Sequence, residues 1–111
     1  MKVACSTLCF GRLPLDRALK TMEELDFSNV DATISPKGPH LTPAEVAADP
    51  ARCARLLRYT SSVVPAALNL EFEPNLDHDT FVAQFDAICK MARNLGVATL
   101  TMPAAAAHTD F

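Results

Sequence analysis

The stretch VDATIS, Val30 to Ser35, alternates apolar and polar residues through one β-branched run. Side chains repeat every two residues along a strand, so Val30, Ala32 and Ile34 share one face and Asp31, Thr33 and Ser35 the other. Two later runs behave alike. In a predicted strand over 63–72, Ala66, Leu68, Leu70 and Phe72 oppose Ala67, Asn69 and Glu71; over 97–102, Ala98, Leu100 and Met102 oppose Thr99 and Thr101. Each strand has one apolar face and one that turns polar toward its C-terminal end.

The segments between these runs carry helical periodicity. Leu15, Ala18, Leu19, Met22 and Leu25 form one helical face, with Pro14 in the first turn. Thr42-Pro43-Ala44-Glu45 reads as a capping box, with Glu45 reaching back to the cap N–H. Asp49-Pro50 stops that short helix and opens a second, with Cys53, Leu56, Leu57 and Thr60 inward. The clearest helix follows Asp77, with Phe81, Phe85, Ile88, Cys89, Ala92 and Leu95 on its inner side and Gly96 as its cap. With a first strand over 3–8, the order is β-α-β-α(α)-β-α-β.

Repeated β-α-β crossovers require a parallel sheet. An open doubly wound sheet is covered on both faces and should read apolar throughout. A barrel instead packs its outer strand face on helices and turns its inner face into a site wall at the C-terminal mouth. The sequence therefore reads as α/β, one domain over 1–111, forming the N-terminal half of a TIM (β/α)8 barrel with four strands and three main helices. Alone, such a half leaves its inner face uncovered and two strand edges unpaired. The expectation is a fragment of a longer chain, or a half-barrel that self-associates as a homo-oligomer.

Half of the 111 residues are hydrophobic and 21% are charged, as expected for a chain with a core and not for a disordered one. The net charge is −3, with Lys and Arg scattered, so no nucleic-acid footprint is expected. No apolar run approaches the roughly 20 residues of a membrane span, nor does the N-terminus read as a signal peptide. A cytoplasmic protein is expected. The four cysteines contain no C-x-x-C; Cys5 and Cys9 share strand parity but would lie roughly 13 Å apart, too far for a disulfide.

The start of the chain carries a resemblance. Ser6-Thr7 with Phe10, the helix from Leu15 to Leu19, Glu24-Leu25-Asp26-Phe27 leading to Val30-Asp31, "HLTP" at 40–43 and "NLGV" at 94–97 together resemble the xylose isomerase-like TIM barrel superfamily. That superfamily includes sugar phosphate isomerases and epimerases and endonuclease IV-type nucleases. One departure is Asp26, where the family has a helix-capping glycine; Asp tolerates the left-handed conformation better than most residues. The resemblance implies carbohydrate metabolism: a small-molecule sugar or sugar phosphate, and a divalent metal (Mn, Mg, Zn or Co) assisting proton transfer in the complete barrel. The family's metal ligands and acid/base carboxylates come mainly from strands five to eight, so no catalytic residue carries over to this chain.

Candidate residues follow from position. Glu71, at the C-terminal end of the third strand, is suited to a sugar hydroxyl or a metal, or to a solvated strand end. His40, after the second strand, can reach substrate or sit exposed on its loop; His108, past the fourth, is a candidate metal ligand. Phe10 can wall the pocket or simply pack beneath the first loop. Asp31 reads as an interior hydrogen-bonded or charge-paired residue. Asp77-His78-Asp79 looks like a metal cluster but begins a helix, where capping explains it. No nucleophile–base pair, phosphate-binding loop or dinucleotide fingerprint occurs. An endonuclease IV-like phosphodiesterase is the alternative enzyme reading, and a non-catalytic half-barrel the alternative outside enzymes.

Overall fold

The computed structural model of the chain describes residues 4–102. Its elements run β1 (Ala4–Ser6), a 3-10 turn (Thr7–Phe10), α1 (Leu15–Glu24), β2 (Asn29–Ile34), α2 (Pro43–Ala48), α3 (Pro50–Tyr59), β3 (Val64–Leu70), α4 (His78–Leu95) and β4 (Thr99–Thr101). The four strands form one all-parallel sheet in the order β1-β2-β3-β4. The α/β class and the parallel sheet expected from periodicity are thus present.

The alternation in β2 sorts the sheet. Val30 and Ile34 are fully buried and Ala32 is 1% exposed, whereas Asn29, Asp31 and Thr33 are half-buried. One continuous core joins that apolar face to Cys5, Leu68 and Leu70 from the neighbouring strands. Leu15, Leu19 and Met22 from α1, Val46 from α2, Cys53 and Leu57 from α3, and Ile88 and Met91 from α4 complete it. Each buried Leu, Ile or Met contributes about 1.5–3 kcal/mol through removal from water, so these positions carry most of the fold.

Several boundaries differ from the sequence reading. β1 ends at Ser6, three residues into the described chain, because the Ser6 hydroxyl accepts the Leu8 N–H at 3.2 Å and caps the 3-10 turn. The turn takes Cys9 off the strand: Cys5 is buried on β1, Cys9 is exposed on the 3-10 turn, and both thiols are free. In β3 the parity slips. Val30 pairs with Pro65 but Asp31 with Ala67, so Ala66 is an extra residue, exposed, and Pro65 takes the buried place expected for it. Phe72 lies beyond the strand, edge-on to Phe81 at 4.8 Å. Pro14 caps α1 from outside, and Leu25 ends 58% exposed beyond its last turn.

The caps are local chemistry. Thr42 accepts the Glu45 N–H at 3.2 Å, but the Glu45 carboxylate accepts from the Thr42 hydroxyl at 3.1 Å instead of reaching the cap N–H. Asp49 accepts from Arg52 N, and Asp77 from Thr80 N, both at 3.1 Å. α4 ends on Gly96 at φ +73°, and after α1 Asp26 adopts φ +67°.

Two expectations follow. Gly96→Ala should lower stability by about 1 kcal/mol in urea titration, because a Cβ there meets no neighbour and only the left-handed backbone is penalised; Asp26→Gly should raise it by a smaller amount. The hydrogen bonds from Thr80 hold the Asp77 carboxyl below its ordinary value. The stability this provides is present above the unfolded carboxyl pKa near 4 and is lost as pH falls through the lower folded value. Asp77→Asn, which keeps a capping oxygen but does not titrate, should therefore show a shallower acid loss in a pH series of denaturation curves.

Candidate functional site

The C-terminal ends of β1, β2 and β3 enclose an open cleft of about 470 Å³, whose lining includes Ser6, Leu8, Thr33, Ser35, Lys37, Asn69 and Glu71. Their placement follows from the ladders. Thr33 pairs with Asn69 and Asn69 with Thr101, so a hydroxyl, an amide and a second hydroxyl form one row on the polar face. The Thr101 hydroxyl donates to Asn69 Oδ1. Asn69 keeps its NH2 for donation, while the Thr33 hydroxyl is buried at the cleft wall with no hydrogen-bond partner among the described residues.

β1 is too short to bond β2 here through its backbone, and a side chain takes over. Thr7, 1% exposed, accepts the Thr33 N–H on Oγ1 at 3.0 Å. The wall is thereby fixed without a further strand residue. One turn along, Ser35 donates to Glu71 Oε1 at 2.9 Å and accepts the Lys37 N–H at 3.3 Å. The Glu71 N–H in turn donates to the Ile34 carbonyl at 2.9 Å, extending the β2–β3 pairing past the strand. The loop after β2 lies close against this pair: a Cβ at Gly38 would meet both Cβ and the carbonyl oxygen of Ser35 at 3.3 Å.

The sequence candidates separate. Glu71 is exposed, lines the cleft and is positioned by Ser35. Phe10 is half-buried against the core and does not line the cleft; Leu8, 58% exposed, occupies the rim instead. His40 is also outside the cleft lining. Its Nε2–H donates to the Leu13 carbonyl at 2.8 Å, tying the loop after β2 to the segment before α1, while Nδ1 is buried with no partner among the described residues. His108 lies outside the described residues. Asp31 is half-buried and, among the described residues, has no ion-pair partner, unlike Lys90 and Asp86 at 3.0 Å. The reading missed Thr33, Ser35 and Asn69 as site residues, although the parity it used put them on the polar face.

Comparison with protein-family models, with curated protein sequences and with solved structures returns no match. The cleft's chemistry therefore stands on its own geometry: hydroxyls, one amide, one carboxylate and the nearby Lys37, presented together at the strand ends. This is a donor and acceptor set matched to a hydroxyl-rich ligand.

Replacing Thr7 with Val should strand the Thr33 N–H and lower stability by about 1–3 kcal/mol. Thr7→Ser should restore most of it, and exchange of the Thr33 amide should accelerate only in the Val variant.

Proposed function

We propose that the chain is the N-terminal half of a sugar or sugar phosphate isomerase/epimerase-like (β/α)8 barrel, and that its cleft binds and orients the carbohydrate. The observation that carries this reading is the buried Thr33 hydroxyl, unpartnered among the described residues, beside Asn69 and the Ser35–Glu71 pair at the C-terminal end of a parallel sheet. A buried polar group without a partner is costly, and a ligand hydroxyl reaching it would remove that cost. The location is also where parallel α/β folds place ligands. In the complete barrel the reaction would be proton transfer at a carbon beside a carbonyl, with this half supplying contacts to the sugar hydroxyls.

The resemblance also implies a divalent metal. Among the described residues no three His, Cys, Asp or Glu side chains gather to hold one, and Glu71 is the only carboxylate lining the cleft. That donor set does not fit a metal centre, and no step is derived through one. The roles left to these residues are positional: Ser35 fixes one Glu71 oxygen, leaving the other to accept from a ligand hydroxyl, and Asn69 donates beside it.

Self-association is a second reading, favoured by the edges β1 and β4, which have no further strand among the described residues, and by Val64, 55% exposed. Light scattering on the purified chain separates the two: a persistent monomer removes the second.

Titration with pentoses, hexoses and their phosphates, followed by amide NMR, tests the first reading. Saturable shifts at Thr33, Asn69 and Glu71 are expected, and Glu71→Gln or Thr33→Val should weaken binding about tenfold, the effect of losing a hydrogen bond worth about 1.4 kcal/mol. Shifts confined to other surfaces would sink it.

A further inference from the structure

The cleft at the strand ends does not stand alone. A second pocket of about 440 Å³ adjoins it, and the two share Lys37 and Glu71 in their walls. Both volumes fall within the range of about 300–1,000 Å³ usual for small-molecule sites.

Two tight turns frame the second pocket. After β2, the Gly38 N–H donates to the Ser35 carbonyl at 3.0 Å across Pro36-Lys37. After β3, the Leu76 N–H donates to the Glu73 carbonyl at 3.3 Å across Pro74-Asn75. In each turn proline sets φ at the second position, so both walls are shaped before any ligand arrives. Phe72 completes the lining; it is half-buried, with Phe81 at 4.8 Å and Phe85 at 6.3 Å holding its ring.

The walls are therefore the hydrocarbon rings of Pro36, Phe72 and Pro74, edged by the polar groups of Lys37, Glu73 and Asn75. Such a lining suits a sugar ring, whose C–H face packs on apolar rings while its hydroxyls reach the polar edge. Among the described residues two carboxylates, Glu71 and Glu73, oppose one ammonium, Lys37, so a phosphate would meet a net negative lining.

We infer that the second pocket is a subsite for a further, uncharged sugar ring, so that the chain's ligand is a disaccharide or longer glycoside whose linkage passes between Lys37 and Glu71. This rests on the reading of the cleft as a carbohydrate site. Glu71, with one oxygen held by Ser35, borders both rings.

The test titrates the whole chain with glucose, xylose, mannose and galactose beside their β-1,4-linked disaccharides, read by amide NMR. Shifts at Thr33 and Asn69 are expected with one of these sugars and its disaccharide, and shifts at Lys37, Phe72 and Asn75 with the disaccharide alone. The disaccharide should bind about tenfold tighter, the effect of one further hydrogen bond. Phe72→Leu, and independently Asn75→Ala on its exposed turn, should each bring its affinity back toward that of the monosaccharide. Equal affinity, with shifts confined to Thr33 and Asn69, overturns the second subsite and leaves the cleft reading standing; no shifts at either set removes both. A gain that survives both substitutions, or tighter binding of a monosaccharide phosphate at the turn residues, would also overturn the inference.

Discussion

The two-residue alternation of β2 is the constraint on which the rest of the structure depends. β2 has a strand on either side, and its Val30, Ala32 and Ile34 are the points at which all four helices find a common core. A slip of one residue would exchange its faces, placing Asp31 and Thr33 in the core and stranding the apolar set outside. The same alternation that fills the core therefore delivers Thr33 to the cleft. Core and site are two faces of one strand, and neither can be shifted without the other.

The end of β1 shows how a site is made from a strand that stops early. A longer β1 would satisfy Thr33 through its own backbone. Instead the Ser6 hydroxyl caps a turn, and Thr7 sends a side-chain oxygen where a strand would have offered a carbonyl. Ser-Thr at that position is thus an instruction to leave the strand. Ser35 plays a comparable part after β2, bonding the loop N–H of Lys37 and the carboxylate of Glu71 at once.

Much of this was legible in the chain, for reasons that differ by element. Helix α4 could be read from both ends, because Asp77 and Gly96 act through contacts a few residues away. Asp26, at φ +67°, was legible as a left-handed cap only through the resemblance, which implies a capping glycine there. The faces of β2 were legible because its own alternation runs unbroken from Asn29 to Ile34, whereas those of lower β3 were not, since the extra Ala66 depends on how β3 meets β2 and leaves no mark in its own sequence. His40 was read as reaching substrate or sitting exposed on its loop; its half-buried tie to Leu13 was not legible because that partner is distant in sequence. Glu71 was found as a site candidate from its parity and its place at a strand end; its partner Ser35, 36 residues away, required the fold.

The strand order β1-β2-β3-β4 also bears on how the molecule assembles. Each strand pairs with the one made just before it, so every loop to be closed spans only one crossover and its entropic cost stays moderate. A chain emerging from the ribosome can lay down β1 and β2 over α1, then add β3 and β4 in turn, without waiting for a distant segment to arrive. The growing sheet always offers the next strand a ready edge, and its newest edge is always the one closest to the point of synthesis.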